Sequence, residues 1–85
     1  MPLTIATWNI NSVRLRLPLV ERFLREYAPD VLCLQETKCP DDLFPFAAFH
    51  ELGYRHVEVS GQKGYHGVAT ISRRPLELVD RRRFC

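Results

Sequence analysis

Near its start the chain reads Thr4-Ile5-Ala6-Thr7-Trp8-Asn9 and later Pro29-Asp30-Val31-Leu32-Cys33-Leu34-Gln35-Glu36, and these two stretches decide its fold. Residues 3–8 set apolar Leu3, Ile5 and Ala6 among β-branched Thr4 and Thr7 and stop at polar Asn9, which predicts a strand. Residues 31–34 are a near-continuous apolar run, the pattern of a strand covered on both faces. Between them Val20, Phe23, Leu24 and Tyr27 recur at helical spacing, predicting a helix within 13–27 with one apolar stripe. Pro18 suits its first turn. Pro29 ends it, having no amide hydrogen to donate and disfavouring helical geometry at Ala28.

A strand–helix–strand unit brings its two strands parallel. The consequence is positional. Asn9 closes one strand and Glu36 follows the other, so both fall on the carboxyl edge of the sheet, where open α/β sheets carry ligand sites.

Beyond this unit, Pro40-Asp41-Asp42 reads as the opening of a short helix over 43–52, with Gly53 as its stop. Residues 54–60 alternate in the manner of a strand. Residues 61–67 carry three glycines and read as a tight connection, 68–72 as a further strand, and Pro75 as a turn into 76–79. The back half is therefore expected to be antiparallel. The expected order is β-α-β-α-β-β-β.

With 85 residues the chain is one small domain or a piece of a larger one. Hydrophobic residues at 46% and charged residues at 26% exclude intrinsic disorder and low-complexity arrays. No apolar run is long enough to span a membrane, and the start lacks the basic flank and apolar core of a signal peptide. A cytoplasmic location is expected. Cys33, Cys39 and Cys85 have no metal-finger spacing, and Cys33, inside an apolar run, is expected to be a buried thiol. The net charge of +2 is too small to prove a nucleic-acid partner. Arginine supplies ten of the 12 basic residues, which favours phosphate recognition, whereas Arg81-Arg82-Arg83 reads as a solvated tail.

Taken singly, the polar cluster Asn9-Ile10-Asn11-Ser12-Val13-Arg14 is a turn with a helix cap, and Glu36 is a loop carboxylate. Together Asn9 and Glu36 offer an amide oxygen and a carboxylate at one edge. That is part of a site for a hard cation such as Mg²⁺, which takes oxygen ligands and keeps several waters. Asp41, Asp42 and Asp80 have no placement that completes it. The Gly61–Gly67 stretch does not match a phosphate-binding loop pattern, although Lys63 and Tyr65 can touch a phosphate from such a turn. His50, His56 and His66 lack ligand spacing, and no nucleophile elbow, zinc pattern or dinucleotide fingerprint occurs.

Three segments in order, Trp8 through Arg14, Pro29 through Lys38 and Gly61 through Ala69, resemble the N-terminal part of exonuclease III-type apurinic/apyrimidinic endonucleases. Those enzymes belong to the wider endonuclease/exonuclease/phosphatase superfamily. The resemblance runs from about residue 4 to 75, and Leu34-Gln35-Glu36-Thr37-Lys38 is its most specific part. It implies an α/β fold: a partial four-layer α/β sandwich, about one half of the family fold, over residues 1–80, followed by a basic tail at 81–85. It implies Mg²⁺- or Mn²⁺-dependent phosphodiester hydrolysis in double-stranded DNA, at abasic sites and 3′ ends, by a protein that is monomeric when intact. By matching position, Asn9 and Glu36 would be metal-site residues. Asn11, Arg14, Lys38, Lys63 and Tyr65 would line the DNA groove. The family's Asp-x-Asn and Ser-Asp-His segments do not occur in these 85 residues. No general base is therefore expected in this chain, and it is expected to be inactive alone. The alternatives are another superfamily phosphodiesterase or phosphatase, or a non-catalytic DNA-binding fragment.

Overall fold

A computed structural model describes residues 3–60 and 67–75. The elements are β1 (Ile5–Asn9), α1 (Leu17–Tyr27), β2 (Val31–Gln35), a 3₁₀ turn (Asp41–Leu43), α2 (Phe46–Glu51), β3 (His56–Ser60) and β4 (Val68–Ser72). The four strands form one sheet in the order β1-β2-β4-β3. β1 and β2 are parallel, and β4 runs antiparallel to both β2 and β3. The expected 76–79 segment, the tail at 81–85 and the residues Lys63 and Tyr65 lie outside the described residues.

Register sorts the side chains into two faces, because successive residues of a strand point to opposite sides. Ala6, Leu32, Ile71 and Val57 form one cross-strand row, and Trp8, Leu34, Ala69 and Val59 the next. Both rows belong to the hydrophobic core with Val20 and Leu24 of α1, Phe49 of α2, and Phe44 and Tyr54. The two helices therefore pack on one face. Burying Leu32, Leu34 and Ile71, all at 0% exposure, stabilises the fold by roughly 1.5–3 kcal/mol each. Val31, Cys33, Thr70 and Ser72 lie on the opposite face and are also buried, so β2 is covered on both sides as its apolar run predicts. Among the described residues, both helices lie on one face of this sheet.

Two details differ from the sequence reading. The helix expected over 43–52 is divided, with Pro45 at the N-cap of α2. Proline cannot donate a helical amide hydrogen, so helical bonding cannot run through it from the 3₁₀ turn. Tyr27 closes the predicted stripe of α1 but is 70% exposed, while Val20 and Leu24 are buried. Its ring instead lies tilted against Phe23 at 5.1 Å, and Phe23 meets Trp8 edge-on at 5.6 Å. α1 falls within the expected 13–27 with Pro18 in its first turn, and it starts at Leu17 because residues 10–13 are bonded to the extension of β2.

Candidate functional site

The parallel pairing of β1 with β2 sets Asn9 opposite Gln35, the last pair of the ladder. Past that pair the two chains stay tied. The amides of Ile10, Ser12 and Val13 donate to the carbonyls of Gln35, Glu36 and Thr37. Ile10, Val13 and Thr37 are at most 2% exposed, so the turn is anchored by buried side chains while its polar ones face outward.

Four polar side chains meet on this rim. Asn9 Nδ2 donates to Glu36 Oε2 at 2.6 Å. Lys38 Nζ donates to Asn11 Oδ1 at 2.6 Å and stands 4.0 Å from Glu36 Oε1. The arrangement is a linear series of contacts, Asn9–Glu36–Lys38–Asn11, drawn equally from the two chain extensions. The side chains of Lys38 and Glu36 are 42% and 40% exposed, so the cluster is open to solvent and to a large ligand. At that exposure the Lys38–Glu36 pair contributes little to stability. Arg14 is exposed on the same turn.

Backbone conformation produces this convergence. Asn11, Ser12, Glu36 and Lys38 have φ of 49°, 87°, 53° and 49°, four of the five non-glycine residues described with positive φ. Such a conformation costs an L-residue roughly 1–3 kcal/mol, and residues of this kind cluster at functional sites in proteins generally. Left-handed Glu36 and Lys38 flank Thr37, so the chain leaves the ladder with Thr37 buried and its charged neighbours outward. Thr37 then donates its amide to the Gly67 carbonyl, which brings the start of β4 to the same rim. Asparagine's tolerance of this conformation is the one signal of it in the sequence; Glu36 and Lys38 carry none. Sequence reasoning also missed Arg16. It is half-buried at the N-cap of α1, and its Nε donates to the Ile10 carbonyl at 2.9 Å.

Oxygen donors for a hard cation are Glu36 and the Oδ1 of Asn9, whose Nδ2 is already engaged with Glu36. The donor chemistry fits Mg²⁺ or Mn²⁺, which accept one or two carboxylates and retain water. Among the described residues no group of three or more His, Cys, Asp and Glu is placed to hold a metal. Asp42 is exposed in the 3₁₀ turn, outside the rim cluster. Among the described residues no helix is long and apolar enough to cross a membrane.

Residues 6–85 match the Endonuclease/Exonuclease/phosphatase family. Exodeoxyribonuclease III of Haemophilus influenzae is 40% identical over 75 residues, covering 88% of this chain and 28% of the relative. An AP endonuclease from Archaeoglobus fulgidus superposes with a TM-score of 0.85 at 51% identity, over 91% of this chain and 30% of its own. A Neisseria 3′ phosphatase, solved bound to a product DNA hairpin, gives 0.79 at 49% identity, over 85% and 28%. The chain thus spans less than a third of the length of these relatives, at their N-terminal part.

Proposed function

The chain belongs to the endonuclease/exonuclease/phosphatase family, and from that premise we propose that it forms the metal-site corner of a DNA-repair nuclease of the exonuclease III type. The observation that carries this reading is the 2.6 Å hydrogen bond from Asn9 to Glu36, which holds a carboxylate beside an amide oxygen at the solvent-facing rim. Those two residues would hold a divalent cation, Mg²⁺ or Mn²⁺. When bound, such a cation supplies positive charge opposite a phosphoryl oxygen.

The chain's own residues do three things. Asn9 fixes the Glu36 carboxylate by donating one hydrogen bond, so the acid is oriented before any ligand arrives. Lys38 brings an ammonium to the same rim, where it is available to a phosphate while Asn11 holds it in place. Arg14, exposed on the adjoining turn, offers a planar donor fork to the DNA backbone. The substrate proposed is double-stranded DNA at abasic sites and 3′ ends, in keeping with the names of the relatives. The protein is proposed to act as a cytoplasmic monomer when intact. A general base and further acids are needed for turnover, and the described residues do not provide them, so the 85-residue chain alone is proposed to be inactive.

The test is a hybrid in which this chain replaces the matching N-terminal part of the H. influenzae exodeoxyribonuclease III. Cleavage of an abasic-site duplex in Mg²⁺ is expected, falling at least about 100-fold on Glu36→Ala because several kcal/mol of charge stabilisation are lost. Cleavage unaffected by that substitution would reject the reading.

A further inference from the structure

Hydrogen bonds at the rim leave one backbone group to be satisfied from outside the ladder. In a parallel pair, a residue whose amide donates to one partner carbonyl accepts, with its own carbonyl, from the amide two residues further on. Ile10 donates to Gln35, so its carbonyl should accept from Thr37. Thr37 instead donates to Gly67, and the Ile10 carbonyl accepts from Arg16 Nε at 2.9 Å. This carbonyl belongs to the peptide that joins Ile10 to Asn11, one residue past Asn9, and Asn11 and Ser12 follow with φ of 49° and 87°. Ile10 is fully buried, so the peptide cannot rotate freely toward water.

Arg16 is suited to hold it. Its backbone starts α1, with the Arg16 carbonyl accepting from the amides of Leu19 and Val20. Its own amide donates to the Ser12 carbonyl, at the other end of the strained turn. One residue therefore grips the turn at two points while anchored to the first turn of a helix whose Val20 and Leu24 are in the core. We infer that Arg16 is a positioning residue for the rim: its Nε–H, bonded to the Ile10 carbonyl, sets the peptide that fixes where Asn9 and Asn11 stand relative to Glu36. The inference rests on the proposed metal corner, and it identifies the side chain that keeps the corner assembled. Arg16 acts through backbone and touches no ligand.

The test uses the full ¹⁵N-labelled chain with Mn²⁺ alone as the probe, followed by NMR. In the metal-free protein, Arg16→Met is expected to shift the side-chain amide resonances of Asn9 and Asn11 and to speed amide exchange at Ser12 and Val13. The Val20 and Leu24 amides should stay protected, showing that α1 is intact. On titration, the Mn²⁺ concentration that half-broadens the Asn9 resonance should rise roughly tenfold, the scale for loss of a residue that orients a ligand. That direction discriminates: if Arg16 acted only as a nearby positive charge, its removal would tighten Mn²⁺. Arg16→Lys keeps the charge but lacks the Nε–H and the planar fork, and should move the same resonances the same way if Arg16→Met fails to fold. Unchanged Asn9 and Asn11 resonances in a folded variant, or tighter Mn²⁺ binding, overturn the inference. If wild-type Asn9 is not broadened at all, the metal-corner reading fails. The metal-free shifts then still decide whether Arg16 holds the turn.

Discussion

At the amino end of β1 and β2, Asp30 accepts hydrogen bonds from the Thr4 amide and the Thr4 hydroxyl, both at 2.9 Å. Arg73 and Arg74, just past β4, approach the same carboxylate at 3.1 and 3.5 Å. Arg73 also donates to the Ala28 carbonyl and lies over the ring of Tyr54, whose hydroxyl bonds the Pro29 carbonyl. At the carboxyl end of the same two strands stand Asn9, Asn11, Glu36 and Lys38: exposed, on a left-handed backbone, and bonded chiefly to one another. One end is a clasp whose polar groups are satisfied within the fold. The other holds a strained cluster that the middle of the sheet keeps in place. The difference teaches where the fold concentrates conformational strain: four of the five described non-glycine residues with positive φ stand at the solvent-facing rim, and one, Ala28, at the fastened end.

Leu32, fully buried at the centre of the sheet, serves both ends. Leu32→Ala should cost about 3 kcal/mol in urea denaturation and loosen clasp and rim together. Loss of protection confined to one end would break the comparison.

The clasp has a pH signature. Thr4's backbone and side-chain hydrogen bonds, aided by Arg74 and Arg73 and opposed by burial, lower the Asp30 pKa from 3.8 to about 2. A carboxylate depressed in the folded state contributes stability that is fully present above its unfolded value and is lost as pH falls toward the folded one. Stability should therefore decline between about pH 4 and about pH 2. Asp30→Asn should start lower and flatten that decline, as read from urea midpoints at stepped pH. An unaltered slope would remove Asp30 from the clasp.

The rim answers in the opposite direction. Glu36→Gly should raise stability by roughly 1 kcal/mol over Glu36→Ala, because glycine adopts the positive φ of this position without a Cβ penalty. Both variants lose the carboxylate, so the pair separates backbone strain from side-chain chemistry. Equal stability of the two would mean that the rim stores no strain.

Much of this contrast was legible in the chain. Pro29 and the apolar run after Asp30 mark the return of the chain as a parallel strand, and parallel pairing alone brings Asn9 beside Glu36. The insertion of β4 between β2 and β3 was not legible, because alternation identifies a strand but not its neighbour. Pro45 was visible, yet the pattern on either side suggested one helix where the chain makes two short ones. The left-handed Glu36 and Lys38 were invisible, since tertiary hydrogen bonds from Ser12, Val13 and Thr37 impose that conformation against local preference. Arg16 was equally hidden: an arginine at a helix start carries no mark of the carbonyl it will reach.

The central claim is that Asn9 and Glu36 share a divalent cation, and crystals of the chain grown in Mn²⁺ test it most directly. An anomalous-scattering peak between the Glu36 carboxylate and the Asn9 side-chain oxygen, absent from Glu36→Gln crystals, is the predicted result. Manganese bound only elsewhere, or a rim peak that persists in Glu36→Gln, would contradict the account.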